Sequence, residues 1–529
     1  MSTHVVSSRW VISLCLFFGL TAPVAAQFVA WTAYGPGGSG NPAGRPGGKH
    51  AFVVDAQGNS YVTGTTINSS NLDVLTVKYD PAGNVLWQAR YDGPAHGNDA
   101  GVALALDANG NLLVAGYGSN GTDNDILVLS YDPKGVQRWV ATYDASQGDD
   151  RASDIVVDAV SGEAYVVGSS SGSDIITLKY SSSGQILWAM PYDGPAHLND
   201  QAVAIARDVT SGHIAVTGSS LKADGTTDIF TILYDAAGSK LWTKIYNGPA
   251  NGNDDPVALA FGSQGQIVVA GNSKNAAGNF DYRTIKYDAA GNLLWTAFYA
   301  GNAGGSDFAS DMTLDVAGNV YVTGRSPTGA SLDIVTLKYD AAGAVQWTAT
   351  YNGSASGDDY AAAIAVDDAG RVAVTGYSSQ FAGFVPNDKS PDYVTLLYNA
   401  AGVQQWAAPF DGVQRTDSAS AVRFDPSGNV LVTGFSSIAG PSQSGGSGAD
   451  VTEVRTLKYD NAGIRLWSMS AGVEGGFAER YGTAGTATNR RAMATDVHGK
   501  FDAAAPPGTG PNWDIRTAKF APNGTSLWT

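Results

Sequence analysis

Tryptophan recurs along this chain every 49 to 61 residues, and that spacing leaves few folds open. Ten of the twelve tryptophans are in register: Trp31, Trp87, Trp139, Trp188, Trp242, Trp295, Trp347, Trp406, Trp467 and Trp528. Only Trp10 and Trp513 stand apart. The surrounding text repeats as well, with LTVKYDPAGNVLWQARY at 75–91, RTIKYDAAGNLLWTAFY at 283–299 and VTLKYDAAGAVQWTATY at 335–351. Upstream of each lies a second phrase, such as ALALDANGNLLVAGY at 103–117 or MTLDVAGNVYVTGR at 312–325. A helical solenoid would show a 3.6-residue period, which is absent, and a β-helix would need much shorter coils.

Each unit reads as four short strands, A to D. Strand A is small and apolar, strand B is the VYVTG phrase, strand C is DIVTLKY, and strand D carries the tryptophan. Val, Ile, Thr, Tyr and Trp favour strands. The A–B and C–D connections read Asp-x-x-Gly, as in Asp107 to Gly110 and Asp132 to Gly135. An aspartate carboxylate accepts a hydrogen bond from the N–H two residues on, and glycine adopts the left-handed conformation that closes the turn. Glutamate is one methylene too long for that bond. This explains why 44 of the 48 acidic residues are aspartate. Four antiparallel strands repeated at this period predict an all-β chain folded as a single β-propeller of four-stranded blades.

The units fall at 50–91, 102–143, 154–192, 202–246, 257–299, 310–351, 362–410, 420–471 and 492–529. This count favours nine blades. Eight is the alternative, with the degenerate last unit packed irregularly. An extra D-like strand, Phe28 to Tyr34, precedes the first unit, and the last unit's own D strand is short. The expectation is that Phe28 to Tyr34 closes the ring as an outer strand, since closure removes an unpaired edge.

The phrase D-x-x-G-N-x-Y-V-T-G followed by D-[IV]-x-T-L-K-Y-D resembles the bacterial SBBP repeat, a β-propeller repeat family. Asp315, Gly318, Asn319, Tyr321 to Gly324, Asp333 and Thr336 to Asp340 carry the likeness. The resemblance implies an exported or surface propeller and brings no fixed set of catalytic residues. YDAAGNLLW is also similar to the tryptophan-docking repeat of quinone-dependent (PQQ) dehydrogenases and related outer-membrane assembly propellers. Those enzymes often carry a vicinal cysteine pair.

The N-terminus reads as a secretory signal: Arg9, an apolar core from Trp10 to Ala22, then Val24-Ala25-Ala26 as the cleavage site. Residues 1–26 are expected to be removed, leaving 27–529 as the propeller in the periplasm, at the cell surface or outside the cell. Cys15, the one cysteine, lies within that core. The mature chain would have no disulfide, thiolate metal site or cysteine nucleophile. No later segment is apolar enough to span a membrane. A net charge of −17 argues against a nucleic-acid partner.

In a propeller the B–C and D–A connections share one face. Two aspartates per unit recur there: Asp73, Asp125, Asp174, Asp228, Asp281, Asp333, Asp392 and Asp514 before strand C, and Asp99, Asp150, Asp200, Asp254, Asp307, Asp359 and Asp417 before strand A. Such a rim could collect calcium or a basic partner. Regular recurrence from unit to unit points instead to carboxylates capping backbone N–H groups. Among non-repeating features, the connection 471–491 holds Glu474, Glu479, Arg480, Arg490 and Arg491, taken here as the candidate binding residues. Long loops at 380–392 and 440–450 share their face. His96 and His197 read as loop residues, and the lysines of the KYD phrase as structural within the blade. No catalytic, cofactor or metal constellation emerges. The functional expectation is a non-catalytic scaffold that binds a protein or glycan through the B–C/D–A face. The alternatives are a polysaccharide-cleaving or quinone-dependent enzyme, and a calcium-stabilised surface module.

Overall fold

A computed structural model describes residues 50–471, apart from 69–70, 146–147, 171–173, 354–356, 380–390, 412–416 and 440–449, together with the strands of one further sheet near the C-terminus. Eight four-stranded antiparallel sheets follow one another at 52–91, 100–143, 151–192, 200–246, 254–299, 308–351, 359–410 and 417–471. We call them blades 1 to 8. Blade 6 is typical: Phe308–Leu314 is strand A, Val320–Pro327 strand B, Leu332–Tyr339 strand C and Val345–Tyr351 strand D. Every blade is made from one consecutive stretch of chain in the order A-B-C-D.

The hairpins form as their chemistry predicts. Asp107 Oδ1 accepts from the N–H groups of Asn109 and Asn111, both at 2.8 Å, and Gly110 sits at φ +77°. Strands B and C are buried on both faces, whereas strand D alternates half-buried and exposed residues on the rim. Tyr79, Tyr131, Tyr180, Tyr339 and Tyr398, each ending a strand C, are among the largest fully buried side chains.

The tryptophans join the blades. The indole N–H of Trp87 in blade 1 donates to the carbonyl of Pro133 in the C–D hairpin of blade 2, at 3.1 Å. The relationship repeats from blade to blade: Trp139 to Ser182, Trp188 to Ala236, Trp242 to Ala289, Trp295 to Ala341, Trp347 to Ala400 and Trp406 to Asn461. The circuit closes when Trp467 of blade 8 donates to Pro81 of blade 1 at 3.0 Å. Phe52, Val62 and Tyr79 of blade 1 share one core with Ala421, Leu431 and Met469 of blade 8.

This closure corrects the expected blade number. The ring has eight blades, not nine, because the docking slot on blade 1 that a ninth tryptophan would need is filled by Trp467. The last unit forms its own four-stranded sheet, Ala492–Thr495, Phe501–Ala505, Arg516–Phe520 and Ser526–Trp528, outside that circuit. The eight blades close by docking of complete sheets, so no added outer strand is needed. Phe28 to Tyr34, expected to provide one, lies outside the described residues.

The lysines of the KYD phrase also act between blades. Lys458 Nζ reaches the same Pro81 carbonyl at 3.0 Å, and Lys286 Nζ reaches Ala341, the acceptor used by Trp295, at 3.1 Å. No helix among the described residues is long and apolar enough to cross a membrane.

Candidate functional site

The B–C and D–A connections do share one face, and the recurring aspartates meet there. Asp359 Oδ2 accepts from the Gly353 N–H at 2.7 Å, Asp307 from Gly301 at 2.8 Å and Asp99 from Gly93 at 2.6 Å. Each carboxylate thus holds the D–A connection that leads into its own strand A. The second set tethers the B–C loops, with Asp125 accepting from Asn120 and Asp281 from Asn275, both at 2.9 Å. Backbone capping is therefore the role the strand-A set supports, while the strand-C set accepts from side chains of its own loops.

Three junctions also gather carboxylates into triads: Asp73, Asp92 and Asp99; Asp125, Asp144 and Asp150; and Asp392, Asp411 and Asp417. Burial raises the pKa of Asp73, Asp99 and Asp125. Calcium takes oxygen ligands of this kind. In the first triad, however, Asp73 is held by Arg90, and Asp99 by two backbone N–H groups, of Gly93 and Ser119. His96 and His197 are exposed loop residues at φ +50° and +51°, and each faces the aspartate four residues before it.

A second group lies on the innermost strands, where sequence reading pointed to nothing. Four residues before the A–B hairpin, six blades carry alanine: Ala51, Ala103, Ala204, Ala258, Ala363 and Ala421. Blades 3 and 6 carry Asp154 and Asp311 instead. Asp154 Oδ2 accepts from the Ile205 N–H of blade 4 at 2.9 Å, and Asp311 Oδ2 from the Ile364 N–H of blade 7 at 3.0 Å. Asp154 Oδ1 meets Nδ1 of His50 at the start of blade 1. Burial raises the Asp154 pKa against the opposing charge of His50. Arg423 of blade 8 is half-buried; desolvation lowers its pKa while the Asp311 carboxylate opposes that shift. Blades 1 and 8, which meet at the closure, are thus each coupled to a blade two places away.

The third group surrounds the mouth of the ring on the B–C/D–A face. The residue after the strand-B glycine is Thr65, Tyr117, Ser169, Ser219, Asn272, Arg325, Tyr377 and Phe435 in blades 1 to 8. From blade 2 onward its strand-A partners are Ala100, Arg151, Gln201, Asp255, Phe308, Tyr360 and Ser418. The preceding Val-x-Gly is nearly constant, yet this register pair changes in every blade. Arg151 lies over the Tyr117 ring at 4.5 Å, and Asp255 accepts from Ser219 at 2.9 Å and from Thr227 at 2.8 Å. Variation inside a repeat was the sequence signal for these residues. The five charged residues chosen from sequence, Glu474, Glu479, Arg480, Arg490 and Arg491, lie outside the described residues, as do most of the two long loops.

Residues 297–326 match the sequence profile of SBBP, a β-propeller repeat. This is an SBBP-type repeat. The match overlaps the motif at 315–340 and agrees with the propeller architecture. The chain is also similar to the regulatory protein FlaEY of Caulobacter vibrioides, 25% identical over 283 residues. That similarity covers 49% of this chain and only 26% of the relative's own length. Among solved structures, Sqt1 from Chaetomium thermophilum is 12% identical with a TM-score of 0.44, covering 82% of this chain and 99% of that one. The propeller domain of the Trilobed protease from Pyrococcus furiosus is 8% identical with a TM-score of 0.39, covering 69% and 93%.

Proposed function

We propose that this chain is an exported scaffold that binds a protein or glycan partner through its B–C/D–A face and performs no catalysis of its own. One observation carries the reading. The side chains that hold the blades together repeat around the ring, whereas the register pair at the mouth differs in every blade. Interchangeable side chains suffice for packing, but recognition needs different groups at different places on a rigid frame. The non-repeating carboxylates Asp154 and Asp311 do not favour an enzyme, because both are buried and committed to backbone N–H groups.

The test is capture of partners by the mature protein from a glycan array and from an envelope extract. It is run beside a variant carrying Tyr117→Ala, Arg151→Ala and Gln201→Ala. Loss of specific capture with an unchanged melting curve is the expected outcome. Capture that survives these changes, and also survives removal of 380–390, would overturn the assignment of the face. Export is tested separately, by locating the protein after fractionation and sequencing its N-terminus.

A further inference from the structure

Arg325 stands on an acidic face where other cations are tied up by carboxylates. Arg90 holds Asp73, Arg151 holds Asp149, and Lys222 holds Asp228. Arg325 has no carboxylate partner among the described residues. Its guanidinium lies instead between two aromatic rings, 4.6 Å from the centroid of Phe308 in its own blade and 4.8 Å from that of Tyr360 in blade 7. The column continues on both sides. Tyr360 stacks on Tyr377 at 4.6 Å with planes 19° apart, and Phe308 packs on Phe280 of blade 5 at 5.2 Å. All five side chains are half-buried, so each keeps part of its surface accessible.

Stacking engages the two faces of a guanidinium and leaves its N–H donors directed outward in the plane. A planar fork of donors held rigid by rings matches a carboxylate, which it can bind through two parallel hydrogen bonds. The surroundings narrow the ligand further. The rim aspartates repel polyanions, so a segment rich in Asp or Glu is disfavoured. Aromatic edges beside Arg325 suit an uncharged body with apolar C–H surface. The phenol of Tyr377, its pKa pushed up to about 12 by burial, stays protonated as a hydrogen-bond donor.

We propose that the Phe308–Arg325–Tyr360–Tyr377 column is a subsite for a saccharide bearing an isolated carboxylate, a uronic acid within an otherwise neutral oligosaccharide. The assignment rests on the reading of the face as a binding surface and names its ligand.

The probe is a glucuronosyl-xylose disaccharide, measured by calorimetry against its methyl ester and against a peptide of six aspartates. The expected result is binding of the acid, with affinity roughly tenfold weaker for the ester and for Arg325→Gln. Arg325→Lys keeps the charge but loses the planar fork, and should not restore binding. Equal binding of acid and ester, preference for the peptide, no binding by the native protein, or full binding by Arg325→Gln would each overturn the subsite. If Arg325→Gln unfolds, Tyr377→Phe replaces it, and unchanged affinity in that variant counts against the proposal. Failure here with array capture still lost in the Tyr117, Arg151 and Gln201 variant rejects the ligand and leaves the face. Failure of both rejects the face.

Discussion

Trp467 donates its indole N–H to the carbonyl of Pro81 across 386 residues of sequence, and this contact completes the ring. It has the same form as the seven contacts before it, so the closing junction is one more copy of an internal junction. Trp467→Phe removes the hydrogen bond while keeping most of the ring packing, and should cost about 1 kcal/mol. Trp467→Ala also leaves a void against Tyr79 and Met469, and should cost about 3 kcal/mol. Urea unfolding measures both. Equal costs for the two variants would show that the hydrogen bond, not the packing, holds the closure.

The hairpin glycines face two constraints at once. Gly135 has φ +83°, and a Cβ there would lie 2.6 Å from Cδ2 of Trp87. Gly225 has the same φ with open space around it. Gly225→Ala should therefore show only the left-handed backbone cost of about 1–2 kcal/mol. Gly135→Ala should cost more and should red-shift tryptophan emission as Trp87 is displaced. Matching melting points for the two variants would refute the docking argument.

Much of this was legible in the sequence. The Asp107 hairpin and the strand order followed from residue chemistry alone, because each depends on neighbours within a few positions. The blade number did not follow, because even the degenerate last unit keeps the repeat's tryptophan and counts as a blade in text. What decides it is that Pro81 accepts Trp467, a contact between distant parts of the chain. The Lys286 contact to the next blade was hidden for the same reason. Asp154 in place of the alanine found in six blades was visible as a break in the repeat, but its acceptor role needed the approach of Ile205 from blade 4. Arg325 was likewise readable as a variable position. Only its register with Phe308, and the approach of Tyr360 from the next blade, make it a stacked, half-buried cation.

The rim aspartates should impose a pH dependence of known sign. Burial raises the folded-state pKa of Asp99, Asp254 and Asp359. Between the ordinary carboxylate value of about 4 and the raised values, the folded chain binds more protons than the unfolded one. Their contribution to stability is fully present below that window and is lost as pH rises through it. Asp158 and Asp425 have lowered values and act in the opposite sense, below the window. Asp359→Asn keeps an acceptor for the Gly353 N–H but removes one titrating group. The decline in melting temperature with rising pH across the window should be shallower in that variant. An unchanged slope would count against the assignment.

The pair formed by His50 and Asp154 offers the sharpest test of the axial residues. Asp154→Ala gives blade 3 the alanine that six other blades carry, so strand propensity and volume argue that it is harmless. The contacts argue the reverse, since the change strips Ile205 of its acceptor and leaves the buried His50 ring without its carboxylate. Removing one member of a buried pair costs about 3–5 kcal/mol, whereas replacing both with apolar groups can be close to neutral. Asp154→Ala should therefore be strongly destabilising, and adding His50→Leu should recover part of the loss. A double-mutant cycle by urea unfolding measures the coupling, expected above about 0.5 kcal/mol. Strictly additive costs would mean that His50 and Asp154 do not act as a pair, and that the tie between blades 1 and 3 contributes nothing to closure.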